Sequence, residues 1–397
     1  MLFEILISIF IGVLAGTVTG LIPGVHINLV GAILVSLSVT IFSGIDSLYL
    51  IIFISSMAIA HTFVDFIPSI FLGCPDTDTQ LSVLPGHELL KEGKGYEAVM
   101  LTAVGGIFAV FILIIISFPL SLIVSEIYNS VHSVMFWILL ATSLLLLFTE
   151  SKKFTALFVF VISGIFGLCA LNIDVKEPLL PLLTGLFGSS MLVTSIKNKI
   201  EIPKQEITKP ECRLFKPLLG SLIASPLCGF LPGLGGGQAV VLGNTISRTD
   251  KKGFLVLVGA TNILVMGLSF VSLYAISKTR TGAAAAIQEI IGILSWKCLL
   301  VILIAVLFSG IISFFLTKIL TKFFAQKISK INYSVLSIAT LIFLTIIVFI
   351  FSGFLGLLVL TASTLVGIYC NSLAVKKTHM MGCLLIPTMI YYFPKFF

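Results

Sequence analysis

Apolar stretches of membrane-crossing length follow one another along nearly the whole chain, and that pattern leaves few folds open. A helix needs about 20 apolar residues to cross a bilayer. Such stretches read out at 2–22, 27–44, 47–72, 97–124, 132–149, 154–172 and 178–196, then at 217–231, 237–247, 253–276, 296–317, 333–352, 354–374 and 381–397. Inside lipid the backbone must pair with itself, so the spanning unit is a helix. With 58% hydrophobic residues, 10% charged residues and a mean hydropathy of +1.18, the chain has too little polar surface to wrap a soluble globule. The expected fold class is all-α: a polytopic, multi-pass protein of the cell membrane, with the lipid bilayer as its first partner.

The formal charge of +7 does not point to nucleic acid, because the Lys and Arg residues sit in short runs between apolar stretches, as membrane topology requires. The seven cysteines are scattered without metal-ligand or disulfide spacing and read as packing residues. No basic residue precedes the first apolar run, so 1–22 is read as part of the mature chain.

Within this apolar background one pattern recurs. Gly20-Leu21-Ile22-Pro23-Gly24 returns in the second half as Gly229-Phe230-Leu231-Pro232-Gly233. Proline removes a backbone donor and glycine permits conformations other residues avoid, so each break leaves helix-end polar groups unpaired at membrane depth. Such groups persist where they face protein, water or a ligand. Paired broken helices in two related halves are a mark of secondary transporters, with the substrate at the breaks. Pro23, Gly24, Pro232 and Gly233 are therefore expected to line a substrate site. His26 and Asn28 follow the first break and are placed to meet a ligand or to cap a helix. Gly235, Gly236 and Gly237 follow the second, as a nest of N–H groups for an anion or as a close-packing surface.

A polar linker, 197–216, divides the chain into a first membrane repeat, 1–196, and a second, 217–397. Lys152 and Lys153 mark an inside loop, whereas 125–131 has no Lys or Arg and reads as outside. Its counterpart in the second half carries Lys318, Lys322, Lys327 and Lys330 and reads as inside, so the repeats are expected to have inverted topology. The linker comes out cytoplasmic and the N-terminus outside. The arm 237–247 is too short to span at about 1.5 Å per residue. Residues 217–247 thus read as a re-entrant or hairpin unit with its Pro-Gly tip in the membrane, and 1–44 as its inverted counterpart.

Polar residues at matching places supply candidate roles. Asp76, Thr77 and Asp78 follow the third stretch, and at the same register in the second half stand Lys278 and Arg280. One reading gives the basic pair to an anionic substrate and the carboxylates and Thr77 to a coupling cation, which wants hard oxygen ligands. The other makes them solvated loop ends or mutual salt bridges. His61 and Asp65 lie four apart, on one helical face, inside an apolar stretch. An ionisable pair there reads as an ion or proton path, or as a packing pair. Asn262, at corresponding depth, offers an amide to the same cavity or bridges two helices.

There is no Walker A sequence, no GxGxxG after a strand, no HExxH and no GxSxG. An enzyme is therefore not expected, and transport would draw on an ion gradient or the substrate's own gradient. Three segments carry a resemblance: Gly16-x3-Gly20-x2-Pro23-Gly24, the run from Pro85-Gly86-His87-Glu88 through Glu97-Ala98, and Pro232-Gly233-Leu234-Gly235, with Pro181 to Gly188 closing the first half. Together they resemble the TctA family, the large membrane subunit of tripartite tricarboxylate transporters, and most closely its shorter archaeal-type branch. The resemblance implies uptake of a small organic anion, a citrate-like or other carboxylate, by symport with a cation. It also implies an extracytoplasmic binding protein and a small membrane subunit as partners. No cofactor is expected beyond a coupling Na+ or H+, and a homo-oligomer is left open. The alternative is a flippase for a polyprenyl-phosphate or other anionic lipid, whose headgroup would suit the same breaks and basic residues.

Overall fold

The computed structural model describes residues 2–22, 31, 44–73, 79–198, 202–231, 235–373 and 375–393. Among them there is no strand, and nine helices are long and apolar enough to cross a membrane. The chain is an all-α polytopic membrane protein.

The first half contains α1 (Leu2–Leu21), α2 (Ser47–Val64), α3 (Phe66–Phe71), α4 (Gln80–Lys91), α5 (Gly95–Phe148) and α6 (Lys153–Asn172). It closes with α7 (Leu179–Leu183), a π-turn (Thr184–Ser189) and α8 (Ser190–Lys197). The second half contains α9 (Phe215–Phe230), α10 (Gly236–Ser247), α11 (Lys251–Ile276), α12 (Gly282–Ile291), α13 (Trp296–Ile328) and α14 (Tyr333–Ser372). A short 3-10 turn (Lys377–Met381) then leads into α15 (Gly382–Tyr392).

Small residues set the way these helices pack. A Cβ on Gly12 would lie 2.6 Å from the Phe53 carbonyl oxygen and one on Gly20 would lie 2.9 Å from that of His61, with Gly16 equally tight on Met57. Only glycine lets the backbones come so close. The contacts rise together in residue number, so α1 and α2 run the same way. In the second half Gly253 meets Pro217 and Gly229 meets Leu268, so α9 and α11 also run the same way. Gly220 lies on Gly243 and Ser247, which makes α9 and α10 an antiparallel hairpin around the second Pro-Gly break.

Contacts between the halves fix a further direction. Gly95 meets Phe71 and Gly106 meets Phe63, so α5 runs against α2–α3. Gly259 packs on Thr102 and Gly267 on Leu113, so α5 runs with α11. It follows that α2 and α11 run in opposite directions. Both are buried along nearly their whole length and form the centre of the bundle. By contrast α13 and α14 expose Phe308, Phe315, Ile319, Ile338, Ile342 and Ile346 at helical spacing, the face a lipid-contacting helix presents.

Four expectations need correction. The stretch 125–131, read as a loop, is helical: α5 carries the helical backbone through it, joining arms at Gly95–Glu126 and Ser130–Phe148, because no Gly or Pro stands there to stop a helix. The stretch 296–317 extends to Ile328, so Lys318, Lys322 and Lys327 are exposed helix residues rather than loop residues. Lys is a good helix former and its stem covers apolar surface. Asp65 is not inside a helix but at the joint between α2 and α3. Finally, two polar segments contain helices, α4 and α12. Each begins at a threonine, Thr79 or Thr281, and stops near a glycine of positive φ, Gly93 (81°) or Gly292 (75°).

The linker is held to the body. The Gln205 side chain accepts from the Gly95 backbone N–H at 2.7 Å and donates to the Leu90 carbonyl at 3.0 Å, while the Glu206 N–H donates to the Gly93 carbonyl at 2.8 Å. Lys251 pairs with Glu88 at 2.8 Å, and Lys252 with Glu97, at this same end.

Candidate functional site

Two joints, one in each half, concentrate polar groups in the buried middle of the bundle. At the first, α2 stops at Val64 and α3 starts at Phe66. His61 places Nδ1 3.0 Å from Thr19 Oγ1 on α1, within four residues of the first break. Asp65, only 5% exposed, donates its backbone N–H to the His61 carbonyl and accepts the Ser69 hydroxyl on its own carbonyl at 2.7 Å. The Ser69 proton is thereby used, so at the 2.7 Å contact between Ser69 Oγ and Thr79 Oγ1 it is Thr79 that donates.

The second joint repeats the first. The Ser269 hydroxyl donates to the Met266 carbonyl at 2.6 Å and lies 2.8 Å from Thr281 Oγ1, so Thr281 donates to Ser269. Thr281 also caps α12 by accepting from the Ala284 N–H at 3.3 Å. Thr79 and Thr281 therefore each stand at the start of a short helix, tethered to a serine on α3 or α11. In the sequence the register that sets Asp76 against Lys278 also sets Thr79 against Thr281. That was the signal for this pair, and nothing in hydropathy alone marks it.

The breaks meet these short helices across the two halves. Gly237, the second residue of α10, faces Gln80, the first residue of α4: a Cβ there would lie 2.5 Å from Gln80 Nε2. Gly31, past the first break, faces Gly282, the first residue of α12, at 2.5 Å from its carbonyl oxygen on the same measure. Each half thus places the glycine that follows its break on the short-helix start of the other.

The candidate residues distribute over this frame as follows. His61 and Asp65 lie at the first joint. Asn262 is buried at mid-length in α11, 4% exposed, one residue before Ile263, which packs near Gly106 and Phe63. Arg280 donates from Nε to the Phe230 carbonyl at 2.8 Å and from Nη2 to the same oxygen, so its charge sits on the carbonyl end of α9 just before Pro232. Lys278 is exposed beyond the end of α11, its carbonyl accepting from the Ser272 hydroxyl at 3.0 Å. Gly235 begins α10, with its N–H donating to the Gln238 side chain at 3.0 Å, and Gly236 is buried beside it. Pro23, Gly24, His26, Asn28, Asp76, Thr77, Asp78, Pro232 and Gly233 lie outside the described residues.

An apolar cavity of about 60 Å³ lies beside Phe230, lined by Leu120, Val124, Tyr128, Pro226 and Leu231 among others. Its lining holds no charged side chain and offers no seat for a carboxylate.

The model of the tripartite tricarboxylate transporter TctA family matches residues 6–382. The chain belongs to the TctA family. An uncharacterized protein of Methanocaldococcus jannaschii is 32% identical to it over 399 residues, 98% of this chain and 98% of the relative. No solved structure matches the chain. TctA proteins are the large subunits of tripartite transporters, which work with a binding protein and a small membrane subunit. The protein is a multi-pass transporter component, and the family points away from an enzyme. Nothing in the family supports the lipid-flippase alternative.

Proposed function

We propose that this TctA protein is a permease for a small organic anion, a carboxylate, moved across the cell membrane by symport with a cation, Na+ or H+. The observation that carries the reading is the crossed arrangement of breaks and short-helix starts: Gly237 on Gln80 and Gly31 on Gly282. Helix starts present backbone N–H groups and the positive end of the helix dipole, a favourable seat for carboxylate oxygens. Asp65, buried at the joint between α2 and α3, is the group we assign to the cation, since a carboxylate at membrane depth is costly unless it has such a role. Lys278 and Arg280 add positive charge on the substrate's side of the second joint.

Two further parts of the reading follow. The halves are inverted repeats, supported by the opposite directions of α2 and α11 and by the matched Ser–Thr tethers. The partners are an extracytoplasmic binding protein that delivers the anion and a small membrane subunit. The deciding experiment is uptake of radiolabelled carboxylates into proteoliposomes under an imposed Na+ or H+ gradient. Gradient-dependent accumulation of at least one carboxylate is expected in wild type and is lost in Asp65→Asn. Accumulation that ignores both gradients would overturn the symport reading.

A further inference from the structure

Residues 202–214 of the linker form no helix, yet Gln205 is only 7% exposed. Burying a side-chain amide is costly unless both of its ends are paired. Here both are: Oε1 accepts the Gly95 N–H at 2.7 Å, and Nε2 donates to the Leu90 carbonyl at 3.0 Å. Gly95 is the first residue of α5, whose N-cap residue, Lys94, supplies no capping side chain, and Leu90 lies in the last turn of α4. One amide therefore caps two helices at once, the start of α5 and the end of α4.

The turn between those helices is shaped to receive it. Gly93 has φ 81°, and a Cβ there would stand 3.1 Å from the Lys204 carbonyl oxygen. A Cβ on Gly95 would stand 2.8 Å from Gln205 Oε1. The Glu206 N–H donates to the Gly93 carbonyl at 2.8 Å. Three consecutive linker residues thus lie on a seat that two glycines leave open. Lys251 also holds this end of α4, through Glu88 at 2.8 Å and Glu92 at 3.8 Å, but those side chains are roughly half exposed and such pairs contribute little. The amide is the stronger hold, because its loss strands the buried Gly95 N–H.

At the opposite end of α4, about 18 Å away, stand the Thr79 tether and the contact of Gln80 with Gly237. We propose that the linker is a strap that docks on the α4–α5 turn, and that Gln205 is a positioning residue that acts on the candidate substrate site through α4. This role rests on the carboxylate reading above. Docking of the linker and binding at the joints are then reciprocal, each favouring the other by the same factor.

The test is hydrogen exchange read by mass spectrometry on the full-length protein in detergent, with citrate and succinate as probes. In wild type, residues 203–206 should be protected together with the turn 90–95, and a saturating probe that raises the unfolding temperature should slow exchange at 203–206 by about fivefold or more. Gln205→Met, of similar length but without the amide, should speed exchange across α4 by about tenfold and leave α11 unchanged. It should also raise the half-saturating concentration for uptake into proteoliposomes with little change in maximal rate. Rapid exchange of 203–206 in wild type overturns the strap even if the variant fails to fold, and so does a bound probe that leaves 203–206 unmoved. Lost stability and lost maximal rate at unchanged half-saturation would make Gln205 a prop for the fold and overturn the positioning role. If no carboxylate raises the unfolding temperature, the carboxylate reading fails instead, and the strap stands or falls on exchange in α4 of Gln205→Met.

Discussion

A helix end that stops at membrane depth needs a partner for its last carbonyls, and in α9 that partner is Arg280. Two N–H groups of a planar guanidinium aimed at one oxygen cannot be reproduced by the single ammonium of lysine. Arg280→Lys should therefore cost about 1–3 kcal/mol of stability, read as a lowered unfolding temperature in detergent, and should reduce transport. A lysine variant as stable as wild type would mean the contact is incidental. Glycines give a paired prediction. A Cβ at Gly16 meets the backbone carbonyl of Met57, which cannot move aside, whereas one at Gly237 meets the ends of two flexible side chains, Gln80 and Met381. Gly16→Ala should lose about 1–3 kcal/mol of stability by overpacking; Gly237→Ala should lose less stability and more transport. His87, buried in α4, titrates in an unusual range: burial first, and the charge of Lys91 second, push its imidazole down to about 3. Because that value lies below the unfolded one, near 6.5, the neutral ring stabilises the fold above about pH 6.5 and the contribution is lost as pH falls toward 3. Replacing His87 with leucine should narrow the gap in unfolding temperature between pH 7 and pH 4. An unchanged gap would show that other groups carry the acid sensitivity.

The longest elements show what a sequence of this kind reveals and what it conceals. The boundary at 353 was legible because Gly353 separates two apolar stretches, and in the structure it has φ 66° and ψ −162° inside α14, with nothing within 4 Å of the place a Cβ would occupy. Space is free there, so the cost of Gly353→Ala is backbone strain alone, on the order of 1–3 kcal/mol; circular dichroism and thermal unfolding would show a destabilised helix pair, and a neutral result would mean the kink is optional. The spans and the antiparallel hairpin α9–α10 were legible for similar reasons, since apolar length and Pro-Gly breaks act locally. The helices α4 and α12 were not. They are short and mixed in polarity, and what orders them is a tether between Thr79 or Thr281 and a serine on another helix, information no hydropathy pattern holds. The α5 joint misled in the other direction: a charge-poor segment suggests a loop, but residues 125–131 contain nothing that ends a helix.

For the whole molecule, charge placement and packing bear on one question, which end faces the cytoplasm. The linker, the start of α5 and the start of α11 share an end through Gln205, Glu88, Glu97, Lys251 and Lys252. By the positive-inside rule that end is expected to face the cytoplasm. Single cysteines at Lys204 and Lys152 should resist a membrane-impermeant thiol reagent in intact cells and react after permeabilisation. Reaction of both from outside would reverse the topology. The crossed contacts of Gly237 with Gln80 and Gly31 with Gly282 carry a consequence for motion. A shift of either glycine would push on a helix start that belongs to the other half, so the two halves are geared together like meshed wheels. In the transport cycle proposed above, opening toward one side of the membrane would then drive closure on the other, and a leak would require the teeth to slip.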